Sequence, residues 1–218
     1  AYLAGHREFY SLRVHVDPNV LIPRPETEHL VVAAVEFAKS LKCDPIRIID
    51  VGTGSGCIAV TLATLIVNCK IAATDISQPA LEIAKGNAAH HEVESKIHFF
   101  TGDLLQALPQ GSSPVHLIVS NPPYIGKLEL STVDDQVKNH EPDIALFSGD
   151  HGTEIIERLI NDAAQLLLPG GALMFETSPI IMDRCVALVE NNQAYCDVRV
   201  IKDYSDLDRI VVATRNNN

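Results

Sequence analysis

The chain has 218 residues, enough for one large domain or two small ones, and its 46% hydrophobic and 21% charged residues are typical of a globular protein with a core. Its formal net charge of −11 and the lack of a Lys/Arg cluster argue against a protein that grips long nucleic acid, since such proteins usually carry a basic stripe. The five cysteines, odd in number and without a C-x-x-C pair, indicate reduced thiols in an intracellular compartment, and no apolar run reaches the ~20 residues that span a bilayer.

The first 24 residues are predicted to form an antiparallel β-hairpin and its link to the next element. Residues 8–16 alternate as in a half-buried strand, and residues 17–19, Asp-Pro-Asn, supply the turn. A helix is predicted from Pro25 to about Leu41, because proline suits a first helical turn and apolar residues recur on one face. Arg24 stands directly before this helix, as either a solvated arginine or a fixed cation that borders a site.

A glycine-rich loop at residues 52–56 follows a predicted strand at 46–51 and leads into an apolar helix that ends near Val67. Strand, glycine loop and helix in this order bring backbone N–H groups and a helix N-terminus close to a ligand. Asp50 stands just ahead of the glycines, where phosphate-binding loops usually lack an acid, so a cationic or zwitterionic ligand is favoured. The spacing is G-x-G-x-G rather than G-x-G-x-x-G, and such a loop alone is weak evidence.

The next three predicted strands are also followed by polar residues at or near their carboxyl ends. Asp75 lies about 20 residues beyond the glycines, where a carboxylate can bind ribose hydroxyls, cap the following helix, or do both. That helix is predicted from Gln78 to about His91. Asp103 can face an adenine amine or cap a turn, and Asn121 follows the third of these strands. Because the carboxyl ends of parallel strands share one edge of a sheet, these residues favour a nucleoside-type ligand. The strands are predicted at 70–75, 97–100 and 115–120.

The stretch Asn121-Pro122-Pro123-Tyr124 is the most informative about the chemistry of the site. Two prolines fix φ and remove two backbone donors, which leaves a stiff loop with carbonyls, one carboxamide and one aromatic ring. This set suits a flat group that bears an NH₂, because Asn121 Oδ1 and a proline carbonyl can each accept an N–H while Tyr124 stacks on the plane. Such a nitrogen is a poor nucleophile, so rigid positioning is most of the catalysis available. A Pro-Pro turn that merely ends a strand is the alternative.

The remaining residues are predicted to complete an α/β fold. Residues 126–140 are polar and acidic and are predicted to form a helical or mobile flap. They are followed by a helix from Thr153 that Leu168-Pro169-Gly170-Gly171 is expected to end, and then by a fifth strand at 172–176. A helix at about 180–191 and a closing strand pair at 195–202 and 209–214 complete the chain. Nine scattered histidines show no ligand spacing, so no metal site is expected, and the lack of a G-x-S-x-G elbow disfavours a hydrolase.

The glycine loop together with Asp50 and Asp75 resembles the cofactor site of class I S-adenosylmethionine-dependent methyltransferases. The Asn-Pro-Pro-Tyr stretch narrows the resemblance to enzymes that methylate planar nitrogens. The run Arg24-Pro25-Glu26-Thr27-Glu28 narrows it to the HemK/PrmC family, the glutamine-N5 methyltransferases of peptide-chain release factors. The resemblance covers nearly the whole chain. It implies a Rossmann-like seven-stranded α/β sheet, with a hairpin and link at 1–24 and a catalytic domain at 25–218.

The same resemblance implies S-adenosyl-L-methionine as the cofactor and a role for each motif. The loop residues that would line the methionine part of the cofactor are Gly52, Thr53, Gly54, Ser55 and Gly56. Asp75 would take the ribose hydroxyls, and Asp103 and Leu104 would border the adenine. The residues that would hold the glutamine amide of the release factor's Gly-Gly-Gln loop are Asn121, Pro122, Pro123 and Tyr124, with Arg24 bordering the site and Asn121 also touching the cofactor.

Two departures from the family pattern shape the remaining expectations. Family members usually begin with a small helical domain, which we expect to be absent ahead of Ala1. Many bacterial members have Glu-x-Gly after the fifth strand, where this chain has Glu176-Thr177-Ser178. We therefore expect a divergent member, with the mitochondrial matrix slightly favoured over the bacterial cytoplasm. The expected partner is a release factor, and we expect a monomer with no stable DNA binding and no membrane association.

Other functions share part of this pattern. An adenine-N6 DNA methyltransferase also carries Asn-Pro-Pro-Tyr, but it needs a cationic track and base flipping, which the charge of −11 disfavours. A catalytically silent methyltransferase fold that scaffolds a partner has no need of both Asn121 and the glycine loop. A dinucleotide oxidoreductase is disfavoured by the loop spacing.

Overall fold

A computed structural model describes residues 1–127 and 141–217 of the chain. The α-helices are α1 Glu28–Ser40, α2 Cys57–Leu65, α3 Gln78–His90, α4 Glu154–Leu166 and α5 Met182–Glu190. The strands are β1 His6–Phe9, β2 Leu12–His15, β3 Ile46–Val51, β4 Cys69–Asp75, β5 Ile97–Thr101, β6 Val115–Ser120, β7 Leu167–Glu176, β8 Tyr195–Lys202 and β9 Asp208–Arg215.

The main sheet has seven strands in the order β5-β4-β3-β6-β7-β9-β8. The first five strands in this order run parallel, β9 pairs antiparallel with β7, and β8 pairs antiparallel with β9. The order of the parallel strands reverses between β3 and β6, a switch point at which ligands bind beyond the carboxyl ends of the strands. The seven-stranded α/β fold expected from the sequence is therefore confirmed.

Two apolar cores cover the two faces of the sheet. One core joins α1, α2 and α3 to the inward side chains of the hairpin, among them Phe9 and Val14. The other core joins α4 and α5 to the opposite face. Strand β3 contributes Ile48 to the first core and Ile49 to the second, which is why two apolar residues stand side by side in it instead of alternating with polar ones.

The N-terminal hairpin is present, but its predicted turn is wrong. The chain reverses at Tyr10 and Ser11, which have φ values of 49° and 61°, so residues 8–16 form parts of two strands rather than one. The segment 17–19 also bends, but it lies after the hairpin. Two-residue turns of this kind usually carry Asn or Gly, and neither is present to signal it. Instead, Glu28 Oε1 accepts the Tyr10 N–H at 2.8 Å and ties the turn to α1.

The stretch 168–171 is also placed differently from its prediction. Leu168-Pro169-Gly170-Gly171 was expected to end a helix, but it lies inside β7, which begins at Leu167. The pairing with β6 is irregular here: Val115 pairs with Leu167, and Leu117 pairs with Ala172. The irregularity accommodates Pro and Gly, which regular central strands avoid. Of the predicted flap, residues 128–140 lie outside the described part of the chain.

Within the described residues, no helix combines the length and hydropathy needed to cross a membrane.

Candidate active site

A cavity of about 280 Å³ opens at the carboxyl edge of the parallel strands, beside the switch point. Loops that follow four neighbouring strands and the segment ahead of α1 build its wall. The wall includes ten of the residues expected at the site, namely Arg24, Gly52, Thr53, Gly54, Ser55, Asp75, Asp103, Leu104, Asn121 and Pro123. Three other expected residues, Gly56, Pro122 and Tyr124, are not among the described residues of that wall.

The glycines of the loop after β3 do two different things. Gly52 and Gly54 have φ values of 69° and 55°, and a Cβ added to either would meet no atom within 4 Å. These two glycines therefore let the backbone curve past the cavity without filling it. At Gly56, with φ of 79°, an added Cβ would lie 3.0 Å from the Cβ of Ala84 in α3. Gly56 thus serves the close packing of α2 on α3.

Asp50, in the strand that precedes this loop, fixes the loop in place. Its side chain is fully buried, and Oδ2 accepts hydrogen bonds from Thr53 Oγ1 at 2.6 Å and from the Ala59 N–H at 3.1 Å. Burial raises the pKa of Asp50 to about 7. Its other oxygen, Oδ1, has no hydrogen-bond partner among the described residues. Asp50 is outside the cavity wall, so it acts on a ligand through the loop that it holds.

Asp75 joins the glycine loop to the turn that precedes α3. Oδ2 accepts the Gly54 N–H and Oδ1 accepts the Ser77 N–H, each at 2.8 Å. The helix cap itself is Ser77, whose hydroxyl accepts the Ala80 N–H. Burial raises the pKa of Asp75, while the backbone donors favour its ionised form. A carboxylate has about four acceptor sites. Two sites therefore remain for a pair of ligand hydroxyls.

Asp103 and Leu104 follow β5, the strand next to that of Asp75, and both line the cavity. Asp103 Oδ2 accepts a hydrogen bond from Arg158 of α4 and makes no side-chain cap to the short turn that follows. Leu104 has a φ of 48°, which is uncommon for a residue with a side chain. Arg158 also belongs to the wall but was not singled out from the sequence. Only the packing of α4 against this loop reveals it.

Asn121 is held by Thr27, which belongs to the Arg-Pro-Glu-Thr-Glu run ahead of α1. Its Nδ2 donates to Thr27 Oγ1 at 3.1 Å, and Thr27 is buried ahead of α1. Within the described residues, Asn121 Oδ1 has no hydrogen-bond partner in the structure. Pro122 is buried, and the Tyr124 hydroxyl donates to Glu176 Oε1 at 3.4 Å. The side chains of the loop therefore point in different directions, with Asn121 and Pro123 in the cavity wall.

Glu176 is a buried carboxyl behind this loop, at the end of β7. It is 1% exposed, and burial raises its pKa to about 7, although the Thr27 hydroxyl and Arg209 favour its ionised form. The Tyr124 hydroxyl, also buried, has its pKa raised by burial and by the nearby Glu176 charge. The sequence named Thr27 only within the run 24–28 and Glu176 only within the stretch 176–178, and it indicated a role at the site for neither residue.

Arg24 is a fixed cation rather than a freely solvated one. Its Nη2 donates to both carboxylate oxygens of Glu141, at 2.6 and 2.8 Å. The Glu141 side chain is only 4% exposed, so it depends on this partner for its charge. Arg24 is itself part of the cavity wall. The two chain segments that frame the cavity, before α1 and before α4, are thereby linked.

The described residues contain no group of three or more His, Cys, Asp or Glu side chains placed to hold a metal ion. The cavity and its support instead contain three acidic residues, a curved glycine backbone, and a carboxamide oxygen that has no partner in the described part of the chain. This donor set fits a ligand that combines hydroxyls, an amine and a positive charge, as S-adenosyl-L-methionine does.

Comparison with known proteins agrees with this geometry. The Methyltransferase small domain family model matches residues 32–139. The chain is 42% identical over 213 residues to a release factor glutamine methyltransferase of Rhodopirellula baltica, a match that covers 97% of this chain and 72% of the relative. It is 41% identical over 215 residues to the protein of the same name from Koribacter versatilis, with 98% and 74% covered. Both relatives are bacterial and do not support a preference for mitochondria.

Solved structures share the fold at lower identity. The 16S rRNA N2 G1207 methyltransferase of Thermus thermophilus superposes with a TM-score of 0.71 at 17% identity, covering 97% of this chain and 50% of that one. A methyltransferase of Pyrococcus furiosus has a TM-score of 0.66 at 16% identity, with 95% and 91% covered. Identities this low show the common fold and nothing about the substrate.

Proposed function

The chain belongs to the family of release factor glutamine methyltransferases, and from this premise we propose how its own residues do the chemistry. The protein is an enzyme that transfers a methyl group from S-adenosyl-L-methionine to a release factor glutamine. We place the modified atom at the side-chain amide nitrogen, N5, of the glutamine in the Gly-Gly-Gln loop. We propose residues 25–218 as the catalytic domain and 1–24 as hairpin and link, although the hairpin shares a core with α1–α3.

The geometry of Asn121 is the observation that supports this proposal most directly. Its amide nitrogen is bound to Thr27, so its carbonyl oxygen is the group left to face a substrate at the cavity. A carbonyl oxygen accepts hydrogen bonds and cannot donate them. It therefore suits the NH₂ group of a glutamine side chain. The proposed second acceptor is the Pro122 carbonyl, and the proposed packing surface for the amide plane is Tyr124.

Positioning is the catalytic contribution that these residues make. The lone pair of an amide nitrogen is delocalised, so the nitrogen attacks only when it is held in line with an electrophile. When bound, S-adenosyl-L-methionine supplies that electrophile as a methyl group on a positively charged sulfur. Asn121 orients the substrate nitrogen by accepting one of its N–H groups. The two prolines that follow are stiff and restrict the position of Asn121. A loss of such orientation by about 1 Å can cost roughly 100-fold in rate.

The proposed cofactor contacts follow from the same wall. Asp75 keeps two acceptor sites for the ribose hydroxyls after its bonds to the backbone. Asp103 and Leu104 are proposed to border the adenine. The loop residues Gly52, Thr53, Gly54 and Ser55 are proposed to lie along the methionine part, and Gly56 acts through its packing on Ala84. The acids near the cavity favour a ligand with a positive charge.

Asn121→Ala tests the proposal. We expect turnover to fall by roughly 100-fold because the orienting acceptor is gone, while the Kd for S-adenosylhomocysteine stays nearly unchanged. The assay offers labelled cofactor with a release factor, its Gln→Ala loop variant, or duplex DNA. We expect label on the wild-type release factor and on neither its Gln→Ala variant nor DNA. Near wild-type turnover by Asn121→Ala would remove Asn121 from the mechanism. Label on DNA would favour an adenine-N6 enzyme, and cofactor binding without label on any substrate would favour a silent scaffold.

The substrate determines the partner, and the cysteines indicate the compartment. A release factor is the partner, and we propose that the enzyme acts on it as a monomer without stable DNA binding. All five cysteines are free thiols in the structure, and three of them are buried. We propose that the protein works in a reducing intracellular compartment, where such thiols persist.

A further inference from the structure

Asn87 in α3 connects two separate parts of the chain that both lead into the cavity wall. Its side chain is buried, with 1% exposed. Oδ1 accepts the His15 N–H at 2.8 Å, while Nδ2 donates to the His15 carbonyl at 3.0 Å and to the Ser55 carbonyl at 2.8 Å. Ser55 belongs to the glycine loop after β3, and His15 is the last residue of β2. One buried carboxamide therefore joins that loop to the N-terminal hairpin.

The partners of Asn87 are backbone groups, and together they require a carboxamide at this position. The Val16 N–H donates to the Gly5 carbonyl across the hairpin, so the N–H and C=O of His15, one residue earlier, point away from β1. Asn87 binds them as the peptide group of a further strand would. A carboxamide offers two N–H donors and an acceptor oxygen, and Asn87 uses both donors and the oxygen.

Both ends of this link continue into the cavity wall. On the hairpin side, β2 leads into the segment 19–24, most of which lines the cavity. On the loop side, the peptide unit after Ser55 is held at both ends. Its carbonyl accepts from Asn87, and its N–H, which belongs to Gly56, donates to the Thr53 carbonyl at 2.8 Å. Because a peptide unit is planar, fixing its C=O and N–H fixes its plane.

We propose that Asn87 is a positioning residue for cofactor binding, which keeps the glycine loop and the segment 19–24 in fixed relative positions as two parts of one cavity wall. Without its two N–H donors, the carbonyls of His15 and Ser55 are no longer bridged, and the two parts can move apart. A ligand that contacts both parts then loses contact with one of them. The inference rests on the proposed contacts of S-adenosyl-L-methionine with the glycine loop.

This link makes the hairpin a part of the cofactor-binding unit, although the described wall includes no residue from 1 to 18. If opening of the hairpin weakens ligand binding, the ligand must oppose opening of the hairpin by the same factor. S-adenosylhomocysteine should therefore slow hydrogen exchange at the His15 N–H, which donates to Asn87 rather than to the ligand. A hairpin that is not coupled to the loop would show no such effect.

Hydrogen exchange of the wild-type protein, with and without S-adenosylhomocysteine, is the first test. We expect the ligand to slow exchange at residues 12–16 by roughly 10-fold more than in β8, the edge strand on the far side of the sheet. Strand β8 is the control, because it reports any overall gain in stability. Equal slowing in the two strands, or none in β2, would overturn the proposal. This measurement needs no variant, so it does not depend on the folding of a substituted protein.

Asn87→Ala and a matched control, Tyr195→Phe, extend the test. The Tyr195 hydroxyl is buried and donates to the Ile160 carbonyl at 2.7 Å, between β8 and α4 and outside the described wall. Both variants lose buried hydrogen bonding and should have lower melting temperatures. Only Asn87→Ala should raise the Kd for S-adenosylhomocysteine, by roughly 10-fold, and lose the protection of residues 12–16 by the ligand. A folded Asn87→Ala protein with the wild-type Kd would contradict the proposed role.

These outcomes separate the role of Asn87 from the proposed function. If the wild-type protein binds S-adenosylhomocysteine and its hairpin is not protected, only the role of Asn87 fails. If the wild-type protein does not bind this ligand, the proposed cofactor contacts fail, and the role of Asn87 fails with them. The turnover of Asn121→Ala tests the catalytic role separately, because it measures methyl transfer rather than binding.

Discussion

Replacing Asp75 by alanine should abolish most of the affinity for the cofactor while leaving the protein folded. The carboxylate accepts two backbone N–H groups, from Gly54 and Ser77, and keeps two acceptor sites for the proposed ribose hydroxyls. A hydrogen bond to a charged group contributes ~1.5–3 kcal/mol. Losing two of them, ~3–6 kcal/mol together, predicts a Kd weaker by roughly 100-fold to 20,000-fold.

The stability of the unliganded protein should change much less. Burial raises the pKa of Asp75, which means that the ionised carboxylate costs the folded state free energy relative to the unfolded chain. Removing that charge offsets part of the loss of the two backbone hydrogen bonds. The prediction therefore separates binding from folding, because Asp75→Ala should lose affinity far out of proportion to any change in melting temperature.

Isothermal titration with S-adenosylhomocysteine measures the affinity, and thermal unfolding with and without ligand measures the stability. Asn192→Ala is the matched control. Asn192 Oδ1 accepts the Ala194 N–H at 3.0 Å, the same local kind of bond, but between α5 and β8 and outside the cavity wall. It should lower stability slightly and leave the Kd unchanged. A folded Asp75→Ala protein with a Kd within about threefold of the wild-type value would refute the reasoning.

Two further changes test the support of the glycine loop. Gly56→Ala should destabilise the protein by more than the ~1–2 kcal/mol that a left-handed residue costs, because its Cβ would lie 3.0 Å from the Cβ of Ala84. Gly111→Ala is the control, with a φ of 77° and no atom within 4 Å of an added Cβ; equal urea midpoints for the two variants would contradict this. Asp50→Asn should flatten the pH dependence of stability. The folded carboxyl, with a pKa of about 7, holds a proton that the unfolded chain has released, so unfolding free energy falls as pH rises toward 7 in the wild type. Urea unfolding at several pH values measures this slope, and an unchanged slope in the variant would count against Asp50 as its source.

The central strands were predictable because of where they lie. The bounds of β3 and β6 match their sequence predictions at both ends. Both strands are buried on both faces, so apolar residues stand at consecutive positions within each short segment, which polar or glycine residues follow. The helices that cover the sheet were also found, to within a few residues at their ends. Burial therefore produces an apolar pattern in the local sequence, and predictions of secondary structure depend on such patterns.

No comparable pattern in the local sequence marks the hairpin turn or the irregularity in β7. At Tyr10 and Ser11, two residues with side chains adopt positive φ because Glu28, in another element, binds the turn. The Pro-Gly-Gly run in β7 is tolerated because the pairing with β6 is interrupted there. In both places a distant contact overrides the local preference of the residues, so local preference alone leads to the wrong assignment.

The kinds of chemistry at the site were determined by the sequence. The glycines after β3, the acid that ends β4 and the Asn-Pro-Pro-Tyr stretch after β6 are each local motifs, and parallel strands must bring their carboxyl ends together. The direction and partners of the side chains were decided only by the tertiary structure. Asn121 and Thr27 are 94 residues apart, and Tyr124 and Glu176 are 52 apart. Hydrogen bonds over such distances depend on how packed elements meet in space, and no local spacing in the chain encodes that.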